Sequence, residues 1–147
     1  MMRIHLVVTT LAALALALAC GDDGSSTPAV DAAPGIDANR DDINGCTRAT
    51  ANDLTAAGAT RTIATVGLSY APRCVRIKAG QSVTWSSDFQ VHPLQGGTVA
   101  DGPQAASPIG LTSSGTTKVI AFPTAGVYGY YCVVHTTLMM GAIYVEP

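Results

Sequence analysis

The stretch GVYGYYCVVHTTLMMGAIYV, residues 126–145, decides how this chain is read. Gly126 to Cys132 and Ala142 to Val145 are rich in aromatic and β-branched residues, so each reads as a strand. The nine residues from Cys132 to Met140 hold a thiol, an imidazole and two thioethers. Taken singly, such side chains have bland explanations. A single Cys packs as a small buried apolar group, Met fills gaps in cores, and a single His is usually a hydrogen-bonded core or surface residue. The inventory argues against that reading. Outside this stretch His occurs only at His5 and His92, and Met only at Met1 and Met2.

His92 lies forty residues upstream of Cys132. His92 and His135, the Cys132 thiolate and one weak axial thioether make the ligand set of a blue-copper site. Soft sulfur ligands stabilise Cu(I), and imidazole suits both oxidation states. The distant ligand ties two parts of a scaffold together. The three close ones are set by a single loop.

The chain has 147 residues, enough for one domain after processing. It opens with Arg3, an apolar run from Leu6 to Ala19 and then Cys20, which reads as a secretory signal over residues 1–19. The run is short of the roughly 20 apolar residues a membrane span needs. Leu16-Ala17-Leu18-Ala19-Cys20 resembles a bacterial lipobox, which implies lipid on Cys20; the alternative is ordinary cleavage nearby that leaves Cys20 an odd thiol. Residues 20–45 are dominated by Gly, Ser, Pro, Ala and Asp, and read as a flexible acidic tether. From Cys46 to Pro147, six basic residues stand against Asp53, Asp88, Asp101 and Glu146, a formal +2. That balance is far from a nucleic-acid-binding domain.

With Cys20 assigned to lipid and Cys132 to metal, Cys46 and Cys74 remain. In an exported, oxidising context they are expected to form a disulfide; two buried free thiols are the alternative. The domain itself shows short β-rich runs broken by Gly and Pro. Arg61 to Val66, Val75 to Lys78, Gln81 to Ser86 and Thr116 to Phe122 join the two runs already quoted. Six or seven strands at this spacing predict an all-β sandwich. Gln95 to Ser114 reads as a long connection or a weak strand with loops, and Asn52 to Gly58 as a turn of helix.

Phe122-x-x-x-Gly126-x-Tyr128-x-Tyr130-x-Cys132-x-x-His135, followed by Met and Gly141-x-Ile143-x-Val145, resembles the C-terminal signature of the cupredoxins. Val75-x-Ile77-x-x-Gly80-x-x-Val83-x-Trp85, with His92 soon after, is similar to their upstream half. The resemblance covers about residues 60–147. It implies a Greek-key β-sandwich of about seven to eight strands with one type 1 copper held at one end by His92, Cys132, His135 and an axial Met. Counting back from Gly141 selects Met139, and counting forward from His135 selects Met140; Met139 is favoured. Where many relatives carry Asn after the first His, this chain has Pro93. Proline has no N–H to offer the copper thiolate, so the sulfur is expected to be more electron-rich and the potential lower.

The function expected is single-electron transfer between redox partners in the bacterial envelope, on the periplasmic side or the cell surface. The alternative is a copper module for storage, sensing or delivery. Enzymatic activity is not expected, because four protein ligands leave no open position. There is no GxSxG, no His-x-His pair and no carboxylate pair beside the ligand motif. Asp88 reads as a solvated acid or turn former. Val133, Val134, Leu138 and the spare Met are candidates for a patch that docks transient partners, or for plain core packing. A monomer with no nucleic-acid partner, meeting membrane only through its lipid, completes the expectation.

Overall fold

Val75-Arg76-Ile77-Lys78 shows how the scaffold forms. Val75 and Ile77 are fully buried while Arg76 and Lys78 point away, the period-2 alternation of a strand with one face on a core. The computed structural model describes residues 40–147; the signal segment, Cys20 and all of the tether up to residue 39 lie outside the described residues. The strands are β1 (Asp42–Ile43), β2 (Cys46–Thr47), β3 (Asn52–Asp53), β4 (Thr62–Val66), β5 (Ser69–Ala71), β6 (Cys74–Lys78), β7 (Ser82–Ser86), β8 (Leu94–Thr98), β9 (Gly102–Pro103), β10 (Thr117–Ala121), β11 (Gly126–Cys132) and β12 (Met140–Glu146). Eight of them have three residues or more, in line with the seven or eight expected.

Two sheets make the sandwich, in the orders β10-β7-β4-β5 and β3-β6-β12-β11-β8-β9. Pairings mix parallel (β4 with β7, β6 with β12) and antiparallel (β10 with β7, β11 with both β12 and β8). Hairpin neighbours such as β11 and β12 sit beside neighbours far apart in sequence, such as β10 with β7, β6 with β12 and β8 with β11, as Greek-key crossovers require. Between the sheets lies one core. Ile63, Tyr70, Val83, Trp85 and Ile120 come from the smaller sheet; Val75, Ile77, Leu94, Tyr130 and Ile143 are among those from the larger. Tyr130 is its hub, with Tyr70 and Trp85 set edge-to-face at 5.1 and 5.4 Å.

The larger sheet has a second, outer core. Ile43, Cys46, Val127, Ala142 and Tyr144 pack together there, so every residue of β11 is buried. The lid is the hairpin β1–β2, in which Asp42 faces Thr47 and Ile43 faces Cys46. Sequence reading placed residues 42–45 in the tether. Their polar composition hides one buried anchor, Ile43, and the folded body starts upstream of Cys46. Cys46 and Cys74 are joined in the expected disulfide, with Cα atoms 5.6 Å apart.

One local expectation changes, one open alternative is decided, and one short strand is added. Asn52 to Gly58 forms no helical turn; Asn52 and Asp53 pair in parallel with Val75 and Arg76 of β6. The stretch from Gln95, open between a long connection and a weak strand with loops, takes the second form: β8 begins at Leu94 and runs beside β11. Its Gly96 and Gly97 conceal it from pattern reading, yet a Cβ at Gly96 would stand 2.3 Å from the Ile109 carbonyl oxygen, so close backbone approach requires glycine there. Finally, Ser69–Ala71 is a short strand that closes the hairpin with β4.

Candidate metal centre

Cys132 is the last residue of β11. Tyr128, Tyr130 and Cys132 alternate inward, so its thiol is fully buried in the inter-sheet core. Its N–H donates to the Met139 carbonyl at 2.8 Å, which closes the loop between β11 and β12. Inside that loop Thr136–Leu138 makes a 3-10 turn, with the Leu138 N–H on the His135 carbonyl and the Met139 N–H on that of Thr136.

His92 is set by a second loop, between β7 and β8. Phe89 is buried and anchors it. The Asp88 carbonyl accepts the N–H groups of Val91 and His92, and the Asp88 carboxylate accepts that of Gln90. Asp88 is therefore a turn former, as its sequence context suggested. The two loops are joined where Val133 N–H donates to the Pro93 carbonyl at 2.9 Å.

These loops bring His92, Cys132 and His135 together, with one donor atom from each lying within 4.8 Å of the others. The two Nδ1 atoms are 3.1 Å apart, and Cys132 Sγ is 3.4 Å from His135 Nδ1. Metal–nitrogen and metal–sulfur bonds of about 2.0–2.3 Å allow three such atoms to share one ion. No other such group of His, Cys, Asp and Glu occurs among the described residues. The pKa of His92 lies below the ordinary imidazole value, first because of burial and then because of His135, while Asp88 opposes the shift. The shift favours the neutral imidazole, the form whose lone pair is free for a metal.

Met139 and Met140 are separated by the local geometry. Met139 is fully buried in the same inter-sheet core as Cys132. Met140, opposite Tyr131 in β12, is half-buried and lines a hollow beside Asn44, Ala100 and Thr137. It does not belong with the exposed apolar residues near His135. Val133, Val134 and Leu138 are exposed, so core packing does not explain them.

A buried thiol and two imidazoles at one end of a Greek-key sandwich define a cupredoxin-type centre. Residues 56–146 match the copper binding proteins of the plastocyanin/azurin family, and the chain belongs to that family. Copper is its cofactor, and the donor set fits copper's demands for thiolate and imidazole. No curated protein is similar enough to count as a match. Among solved structures, an oxidised amicyanin mutant is 24% identical, covers 62% of this chain and 86% of its own length, and has a TM-score of 0.45. A novel purple cupredoxin from Nitrosopumilus maritimus is 26% identical over 58% of this chain and 98% of its own, with a TM-score of 0.45. A reduced amicyanin mutant at 20% identity covers 76% and 96%, with a TM-score of 0.43.

Proposed function

We propose that this protein is a type 1 copper carrier that moves single electrons between redox partners in the bacterial cell envelope, held to a membrane by lipid on Cys20. The observation that carries the reading is the convergence of His92 Nδ1, His135 Nδ1 and Cys132 Sγ at the end of the sandwich. These three are the proposed equatorial ligands, and Met139 the axial one, since it shares the core of Cys132. Copper so held supplies a one-electron Cu(II)/Cu(I) couple. The protein keeps the thiol out of water, presents two imidazoles and fixes all of them on loops tied by backbone hydrogen bonds. Rigid ligands fit a carrier, which changes charge without changing coordination.

Partner docking is supported by where the exposed apolar side chains lie. Val91, Leu111, Val133, Val134 and Leu138 flank the ligand loops. Val66 and Leu68, at the β4–β5 turn, reach the same end, because β4 runs parallel to β7 with Ala64 opposite Ser86. Of the exposed large apolar residues among those described, only Val119 sits elsewhere. Such clustering suits brief encounters with small interfaces.

The reading is tested by replacing Cys132 with Ala and by titrating the parent protein with copper. Intense visible absorption that Cys132→Ala abolishes, with fast reversible reduction, is expected. A colourless Cu(I) complex that hands its metal readily to a chelator would instead assign the site to storage or delivery.

A further inference from the structure

Asn44 stands at the tip of the β1–β2 hairpin with a φ of 52°, in the left-handed region that Asn tolerates. Its Nδ2 lies 3.1 Å from the Gly97 carbonyl oxygen, 3.1 Å from that of Tyr130 and 3.0 Å from that of Gly141. Those carbonyls belong to β8, β11 and β12, three adjacent strands of the larger sheet. The two N–H bonds of one carboxamide are therefore shared among all three carbonyls. The seat exists because Gly129 has no side chain: a Cβ there would meet the Gly97 oxygen at 2.5 Å and Asn44 Nδ2 at 3.0 Å. The hairpin is held from other sides by buried Ile43, by the Tyr144 hydroxyl on the carbonyls of Asp41 and Cys46, and by the disulfide.

Each strand touched by Asn44 leads directly to the metal centre. β8 begins two residues after His92, Tyr130 is two residues before Cys132, and Gly141 is two residues after Met139. We infer that Asn44 is a positioning residue for the copper centre, acting through the carbonyls of Gly97, Tyr130 and Gly141 to fix how the three ligand-bearing strands sit against one another. The inference rests on the ligand set proposed above. Removing the carboxamide leaves these acceptors without their side-chain donor beneath an apolar lid, and buried acceptors in that state draw in water or shift to find partners. The strands then move relative to each other. The shift reaches the Cys132 N–H bond to the Met139 carbonyl that closes the ligand loop.

Two variants test this. Asn44→Gly keeps the left-handed turn at low cost and removes only the amide; Asn44→Ala removes both, and if it fails to fold the Gly variant decides. In the copper-free protein, amide hydrogen exchange at Cys132 is expected to accelerate by about tenfold or more, beyond any change at Val75 and Ile77 of β6, a strand Asn44 does not bond. Copper affinity is expected to fall by about ten- to a hundredfold, with altered thiolate–copper absorption and EPR hyperfine splitting. The proposal is overturned if both variants keep parental affinity and spectra while exchange at Cys132 changes only as much as in β6. A parent protein without thiolate–copper absorption would sink the ligand assignment instead, and the exchange comparison would still decide the role of Asn44.

Discussion

Met139 and Met140 are adjacent in the chain and opposite in environment; loop length and strand register give different counts in the sequence, with Met139 favoured by the count from Gly141. The fold resolves them by face: Met139 enters the core that holds Cys132, while Met140 turns to the outer side. Met139→Leu conserves volume and should cost less than about 1.5 kcal/mol of stability, yet it removes the proposed axial donor and should raise the reduction potential. Met140→Leu should leave the potential and the visible spectrum unchanged. Cyclic voltammetry of the two variants checks the assignment, and a shift confined to Met140→Leu would reverse it. Pro93 is the second informative residue. Its carbonyl ties the two ligand loops through Val133, but it has no N–H for the thiolate. Pro93→Asn should raise the potential, and a fall or no change would defeat that explanation.

At the scale of elements, legibility followed pattern strength. β6 and β7 were readable because their apolar residues alternate, and β4, β10, β11 and β12 as short runs rich in β-branched or aromatic residues; within β10, Ile120 is buried while Val119 is exposed, as a strand requires. β8 was obscured by two glycines that serve close backbone approach, and β3 by residues whose strand pairing comes only from β6 across the fold. Tertiary context decided those two segments, as it often does for strands. The β1–β2 hairpin was missed because a single Ile in a polar run carries no periodic signal. His92, Cys132 and His135 were legible by rarity of residue type and by spacing; Asn44, an ordinary polar residue in an acidic run, was not. The Cys46–Cys74 link clips this hairpin to β6 and closes a loop with a sequence separation of 28. Replacing both cysteines by Ala should cost about 3 kcal/mol, measured by urea unfolding. A loss below about 0.5 kcal/mol would mean that the outer core holds the hairpin unaided.

For the whole molecule, the surface ion pairs stand apart from the exposed apolar side chains of the ligand end. Arg48 with Glu146 and Arg76 with Asp53 form ion pairs away from the ligand loops, and Arg40 pairs with Asp101 at the end of β8 remote from His92. The ligand end carries the exposed Val and Leu residues, with the exposed Asp88 carboxylate in the His92 loop. Electron exchange through that end should depend modestly on ionic strength, since its exposed side chains are mainly apolar and the ion pairs lie elsewhere. Leu138→Lys or Val134→Lys should slow exchange with a positively charged inorganic oxidant without changing the visible spectrum; stopped-flow mixing over a salt series reads both effects, and equal rates in parent and variants would remove the docking patch from the account. The most direct test of the central claim is a combined optical and EPR spectrum of the copper-loaded protein. The account predicts one copper per chain, intense visible absorption from the Cys132 thiolate and the narrow parallel hyperfine splitting of a covalent copper–sulfur bond. A protein that binds no copper, or binds it without that absorption and with wide splitting, would contradict it.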